Sequence, residues 1–157
     1  MNKTVKILLI VGGSILAFCL IIAAVTLTIV FGVLGKVANA DTYELGKESI
    51  QSIKAVVGKR QFVSSSNETR NGTLKKKMEY KSSSVQEDLQ KYVQYLHETE
   101  GFSFTKDMNL TIVPSTIELA RKSKTDTDKI ITLTIEYDAF GYILTFQKGK
   151  GTLSMLE

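Results

Sequence analysis

The sequence contains one cysteine, one histidine, one proline and no tryptophan among its 157 residues. The cysteine, Cys19, lies in a long apolar run, so the rest of the chain can form no disulfide, thiolate metal site or thiol nucleophile. The histidine, His97, has no motif of partner ligands or of a positioned nucleophile around it. We therefore expect His97 to be a solvated residue at a helix end.

Charged residues are missing between Lys6 and Lys36. Residues 7–34 form a run of 28 residues that only glycine, serine and threonine interrupt. At about 1.5 Å per residue, a helix of this length exceeds the roughly 30 Å hydrocarbon core of a bilayer. The sequence predicts a membrane-spanning signal-anchor helix at 7–34, in contact with membrane lipid, between a short tail (1–6) and a juxtamembrane segment (35–40).

Cleavage is the alternative to a retained anchor. Ala38 and Ala40 form the small-x-small pattern of a signal-peptidase site, and cleavage there would release a secreted soluble domain beginning at Asp41. The apolar region of a signal peptide has only about 7 to 15 residues, so we expect retention. Lipid attachment at Cys19 is disfavoured because Phe18 stands where a small residue is normal.

The basic residues around the run predict its orientation. Lys3 and Lys6 lie on the N-terminal side, whereas Lys36 is followed by no basic residue until Lys47. Since basic residues favour the cytoplasmic side, we expect a single-pass cell-membrane protein of bacterial type, with residues 41–157 as an extracytoplasmic domain. A cytoplasmic regulatory domain is the reverse alternative.

Charge argues against a nucleic-acid partner. Of the 20 basic residues, three flank the membrane run, which leaves 17 against 16 acidic residues in the 117 residues that follow. A domain of nearly balanced charge has no general attraction for a polyanion, although a local patch can still have one. We expect no nucleic-acid binding.

The pattern of residues 41–157 predicts an α+β fold of two layers, two helices on an antiparallel sheet, in the order α-β-β-α-β-β-β. A first helix is expected at 41–57, capped by Asp41 and ended by Gly58. A hairpin of strands 59–66 and 74–82 follows, with a long polar loop that contains the turn Asn71-Gly72.

A second helix is predicted from a capping box of Ser84 and Glu87, and Gly101 closes it. Its apolar stripe comprises Val85, Leu89, Tyr92, Val93 and Leu96. Three strands follow at 116–123, 129–137 and 142–148, as a meander with one buried face. Residues 126–128 are expected to form a turn, because the glycine and distal glutamate of a calcium loop are missing.

Residues 54–81 carry eight basic residues against Glu68 and Glu79. This bias predicts contact with an anionic surface, either lipid headgroups or an acidic wall polymer. The alternative is that the lysines protect an exposed strand edge from pairing. The candidate contact residues are Lys59, Arg60, Lys75, Lys76 and Lys77.

No catalytic, cofactor-binding or metal-binding motif is present in the sequence. We therefore expect a binding or accessory module, which another membrane or cell-surface protein could also contact, rather than an enzyme, and we expect no cofactor. The enzymatic alternative is a cell-surface hydrolase that uses carboxylates alone. Its candidate residues are Glu87, Asp88, Glu98 and Glu136.

Overall fold

A computed structural model describes residue 35, residues 39–106 and residues 109–153 of the chain. The predicted membrane helix at 7–34 and the first cleavage-site residue, Ala38, lie outside the described residues. The chain divides into two compact units, Met1–Val37 and Ala38–Glu157. Within the described residues, no helix is both long enough and apolar enough to cross a membrane.

The second unit is an α+β domain of antiparallel strands with two described helices, which confirms the predicted class. One sheet is a hairpin of β1 and β2, and the other has six strands in the order β3-β4-β8-β7-β6-β5. The elements are β1 (Thr42–Leu45), β2 (Glu48–Gln51), α1 (Ile53–Val57), β3 (Gln61–Arg70), β4 (Thr73–Lys81), α2 (Val85–Glu98), β5 (Ser103–Phe104), β6 (Ser115–Lys122), β7 (Lys129–Tyr137) and β8 (Gly141–Lys150).

The prediction of a helix at 41–57 is wrong over most of that segment. β1 and β2 occupy that segment, and Tyr43 lies opposite Ile50 in their register. Gly46, with a φ of 67°, turns the chain between them. A seven-residue spacing of apolar side chains fits one face of a helix and one face of a hairpin equally well. Only α1 remains helical, and Ser52 rather than Asp41 caps it.

The β3–β4 hairpin confirms the predicted turn. Asn71 and Gly72 have φ values of 50° and 75°, as a two-residue hairpin turn requires. The strands run up to this turn, since Arg70 pairs with Thr73. The prediction of a long polar loop around the turn is therefore wrong, because that segment extends strands β3 and β4.

Helix α2 packs its apolar stripe against one face of the six-stranded sheet, here called the inner face. All five stripe residues are buried, as predicted, and Leu89 and Tyr92 have no exposed surface. Gly101, at a φ of 76°, ends the helix as expected. The Phe102 N–H donates to the Leu96 carbonyl oxygen at 3.0 Å across this end.

The predicted capping box at the start of α2 does not form. The Ser84 side chain makes no capping hydrogen bond. The hydroxyl of Ser82 accepts from the Ser84 N–H at 3.0 Å and donates to the Asp88 carboxylate at 2.6 Å. Two residues outside the expected motif therefore organise this helix end.

The meander of β6, β7 and β8 confirms the predicted one-sided sheet. In β7, Ile131, Leu133 and Ile135 are buried on the inner face. The alternate residues Thr132 and Thr134 are only partly covered, and Glu136 is exposed, on the opposite face. The bounds of β7 coincide with the predicted 129–137, while β6 and β8 differ from prediction by one or two residues at their ends.

Replacement of Leu89 by alanine tests the contact between α2 and the inner face. Because the side chain is fully buried, we expect the free energy of unfolding to fall by about 2 to 5 kcal/mol. Urea unfolding of the unit Ala38–Glu157, followed by circular dichroism, measures the change. The exposed neighbour Gln90, changed to alanine, is the control and should alter stability by less than about 0.5 kcal/mol.

Candidate functional site

The face of the six-stranded sheet opposite α2, here called the outer face, carries mostly polar side chains. Strand register arranges its side chains in rows that cross the sheet. Side chains opposite one another in adjacent strands lie about 5 Å apart. The rows that cross it include Ser66, Lys77, Thr145, Thr134 and Glu118, and then Glu68, Lys75, Gln147 and Thr132.

One half of the outer face, towards the β3–β4 turn, carries unpaired cations and is here called the basic half. Arg70, Lys75, Lys77 and Lys122 are all exposed there, and none forms an ion pair with another described residue. The rows of Lys75 and Lys77 also contain two carboxylates, Glu68 and Glu118, and Glu118 is paired with Lys106 at 2.8 Å. Threonine and glutamine side chains lie between the cations, so the surface can offer both positive charge and hydrogen-bond donors.

The five predicted contact residues do not share one surface. Lys75 and Lys77 lie on the outer face, whereas Lys76, between them, points to the inner side. The Lys76 Nζ donates to the Glu44 carbonyl oxygen at 3.3 Å, and burial lowers the pKa of this ammonium group although Glu44 raises it. Strand β4 is paired on both sides. Lys75, Lys76 and Lys77 therefore do not protect a free edge, because the edge strand on this side of the sheet is β3.

Lys59 and Arg60 precede β3, at the opposite end of the sheet from the β3–β4 turn. Lys59 is exposed. Arg60 is engaged with Asp88, to which its Nε donates at 2.6 Å and its Nη2 also donates. Arg70 and Lys122 join the basic half only through strand register, and no local motif in the sequence could have linked them.

Asp88 belongs to a buried polar group with Arg60, Ser82 and Tyr142, and the role of this group is structural. Its carboxylate is 1% exposed and also accepts hydrogen bonds from Ser82 and, at 3.4 Å, from Tyr142. Burial raises the pKa of Asp88, but the hydrogen bonds from Arg60 and Ser82 outweigh it and leave the pKa below its usual value. This group ties α2 to the starts of β3 and β8.

The carboxylates of the hydrolase alternative are not brought together. Asp88 is occupied by Arg60, Glu87 pairs with Lys91 at 2.7 Å, and the Gln94 amide donates to Glu98 at 2.9 Å. These three lie on α2, whereas Glu136 projects from the other side of the sheet. No group of three or more metal-ligating side chains occurs among the described residues.

A buried ionic cluster holds the turn between β6 and β7. Arg121 contacts Glu48 at 3.1 Å, and Lys148 contacts Asp126 at 2.6 Å and Glu48 at 3.8 Å. Glu48, Arg121 and Lys148 are each 3% exposed or less. The Ser123 hydroxyl donates to Glu48 at 2.5 Å. The turn at 126–128 forms as predicted. The sequence did not predict that this turn would be linked to the buried carboxylate of Glu48.

The protonation of Glu48 follows from these contacts. Burial raises its pKa, but hydrogen bonds from Ser123, the Thr125 N–H and Arg121 outweigh burial and lower the pKa to about 2. The Arg121 guanidinium also lies 5.1 Å from the centre of the Phe102 ring. The carboxylate therefore stays charged inside the domain and neutralises the buried cations around it.

His97 and Ala40 make local contacts. His97 is exposed near the end of α2, as predicted, and its Nδ1 lies 2.7 Å from the Phe102 carbonyl oxygen. The Ala40 carbonyl oxygen accepts from the Ser52 hydroxyl at 2.8 Å. The second residue of the cleavage pattern is thus held against the start of α1.

Stability should depend on pH through Glu48. The pKa of Glu48 in the folded state lies below the unfolded value of 4.5. Its contribution to the free energy of unfolding is therefore complete above about pH 4.5 and is lost as pH falls through about 2. The difference corresponds to roughly 3 kcal/mol. Urea unfolding at several pH values should show a shallower acid loss for Glu48→Gln, whereas the surface control Glu98→Gln keeps the wild-type profile. Parallel profiles for wild type and Glu48→Gln would contradict the assignment.

Comparison with known proteins found no relative. No family model matches the sequence, and no curated protein or solved structure matches it either.

Proposed function

We propose that the protein is a single-pass membrane protein whose extracytoplasmic domain binds an anionic polymer of the cell surface through the basic half of the outer face. The observation that carries this proposal is the set of four exposed and unpaired cations, Arg70, Lys75, Lys77 and Lys122. The apolar run at 7–34 supports the anchor.

The shape of the surface favours an extended ligand. Adjacent strands lie about 4.8 Å apart, so the five long strands span roughly 20 Å between Arg70 on β3 and Lys122 on β6. A chain of regularly spaced anions can lie across such a row and contact several cations at once. The threonine side chains of β7 and β8 lie in the adjacent rows that contain Lys75 and Lys77, and they can donate hydrogen bonds to such a chain.

The basic half favours a polymer over a lipid surface. Surfaces that insert into a bilayer combine basic residues with large exposed apolar side chains. The exposed large apolar residues of the described chain are Val63, Ile112, Val113 and Phe140, and none of them lies on the basic half. A water-filled polar contact with an anionic chain therefore fits this surface better.

Binding is favoured over catalysis by the same geometry. Among the described side chains, the basic half combines four unpaired cations with one unpaired carboxylate, Glu68, so it attracts anions but supplies no pair of a general acid and a general base for hydrolysis. Of the carboxylates considered for hydrolysis, Asp88 is paired with Arg60, Glu87 and Glu98 have partners on α2, and Glu136 lies across the sheet.

Charge reversal on the outer face tests the binding site. We expect Lys75→Glu with Lys77→Glu to weaken binding of the unit Ala38–Glu157 to a glycerol-phosphate polymer by about tenfold or more, with a smaller salt dependence. Isothermal titration at low and moderate salt measures both. The control, Lys59→Glu with Lys91→Glu, makes the same change of charge away from the outer face and should retain wild-type affinity. Equal losses in the two variants, or no binding by the wild type, would contradict the proposal.

The anchor and its orientation are tested in intact cells. Thr69 is exposed on β3, and Cys19 is the only native thiol. We expect a membrane-impermeant maleimide to label a Thr69→Cys variant but not the wild type, and the membrane fraction to retain both proteins. Labelling only after cell lysis would place the domain in the cytoplasm. A mature N-terminus at Asp41 would show that the anchor is removed.

A further inference from the structure

The exposed large apolar side chains of the described residues gather at one end of the six-stranded sheet, here called the apolar end. Val63 lies near the start of β3, Ile112 and Val113 precede β6, and Phe140 lies in the turn between β7 and β8. Strand register brings these segments to the same end. Gln61 pairs with Lys81, Lys81 pairs with Gly141, and Ser115, which follows Ile112 and Val113, pairs with Tyr137 beside the β7–β8 turn. The basic half lies towards the other end.

Phe140 is the most exposed of the four, at 77%, and its backbone is held in place. The Asp138 carboxylate accepts from the Phe140 N–H at 2.7 Å and from the Gly141 N–H at 2.9 Å. The Ser82 N–H donates to the Phe140 carbonyl oxygen at 3.0 Å. A Cβ at Gly141 would lie 2.3 Å from the Tyr80 carbonyl oxygen, so this tight strand contact requires glycine. The turn therefore presents the ring to solvent in a defined position.

The two sides of Phe140 differ in charge. On the side of α2, Phe140 lines an open groove of about 950 Å³ together with Lys59, Lys81 and the serines at 82–84. On the side of the outer face, it lines a groove of about 500 Å³ that contains the three carboxylates Glu79, Glu136 and Asp138, with Lys81 shared between the two grooves. Lys59 and Lys81 form no ion pair with another described residue. An anionic surface would thus approach Phe140 from the side of α2.

The chain enters the domain close to the apolar end. Lys54, in α1, donates to the Asn39 carbonyl oxygen at 2.8 Å and pairs with Asp41 at 2.7 Å. Helix α1 has five residues, about 7.5 Å, and leads to Lys59. The apolar run ends at residue 34, and the seven residues at 35–41 can span at most about 25 Å. A bilayer that holds the run therefore lies within reach of the apolar end.

We propose that the apolar end docks on the bilayer that holds the anchor, with Phe140 at the boundary between headgroups and acyl chains and with Lys59 and Lys81 against lipid phosphates. This inference rests on the membrane anchor of the proposed function. Aromatic rings with lysines beside them are the side chains that occupy this boundary in membrane proteins. A second copy of the chain fits less well, because a stable protein interface needs about 800 Å² per partner with matched shape, and four separated side chains do not provide it.

Tryptophan fluorescence of the full chain tests the docking. The native chain has no tryptophan, so Phe140→Trp introduces a single reporter. The variant is reconstituted into vesicles of phosphatidylcholine and phosphatidylglycerol, with or without bromine on the acyl chains. We expect brominated lipid to quench at least half of the emission. Thr69→Trp, at the exposed far end of β3, is the matched control and should lose little emission.

Flotation of the vesicles tests the membrane anchor independently of the docking of the apolar end. Protein that floats with the vesicles and is quenched at position 140, but not at 69, supports docking. Protein that floats but is quenched no more at 140 than at 69 overturns docking and leaves the anchor intact. A blue shift of the Phe140→Trp emission that grows with protein concentration in lipid-free detergent indicates a second copy and also overturns it. Protein that does not float overturns the anchor and the docking together.

A second variant tests the two lysines. Adding Lys59→Glu and Lys81→Glu to Phe140→Trp should lower the quenching severalfold, and the loss should be larger in vesicles rich in phosphatidylglycerol than in phosphatidylcholine alone. Quenching that survives the reversal unchanged would overturn the role assigned to the lysines.

Discussion

The burial of one face of α2 against one face of the sheet is the contact on which the rest of this domain depends. Leu89, Tyr92 and Leu96 have no exposed surface in this core, and apolar burial on this scale is the main favourable term in folding a domain of this size. Since α2 covers only the inner face, the polar residues that alternate along each strand are left in water. The outer face is thus a direct consequence of where the helix packs.

Polar contacts fix the position of α2 near both of its ends. Near its start, Asp88 holds Arg60 and Ser82, which precede β3 and follow β4. Beyond its end, Glu100 accepts from the Gln51 N–H at 3.3 Å and from Lys124 at 3.1 Å. Such buried or half-buried groups add less net stability than apolar packing, but an unpaired partner would be costly. They select one arrangement of the loops around the helix.

The distribution of cations distinguishes structural charge from charge available for binding. Arg121 and Lys148 are buried and paired with Glu48 or Asp126, so their charge is neutralised inside the domain. Lys75 and Lys77 are exposed without such partners, and their charge is open to a ligand. Together with the apolar end, this arrangement gives the domain two different surfaces. One is the surface proposed to bind an anionic chain, and the other is the surface proposed to dock on a bilayer.

Local patterns in the sequence were sufficient for β7, for the turn at Asn71 and Gly72, and for the stripe of α2. Each of these depends on neighbours within a few residues, where side-chain period and turn geometry act directly. The same reasoning failed for residues 41–57, because the apolar spacing from Tyr43 to Ile50 fits both a helix and a hairpin. Packing against the inner face decided between them.

Which residues share the basic half of the outer face was decided by the tertiary structure. The sequence by itself determined an apolar run long enough for a membrane, an α+β domain and a basic segment around Lys75 to Lys77. It could not show that Lys76 turns inward, because the side to which each strand residue points is set by which face α2 covers. Nor could it join Arg70 to Lys122, which are far apart in the chain and meet on one face only when β4, β8 and β7 lie between their strands. Contacts of that kind are made by strand pairing across the whole domain, and no short stretch of sequence contains them.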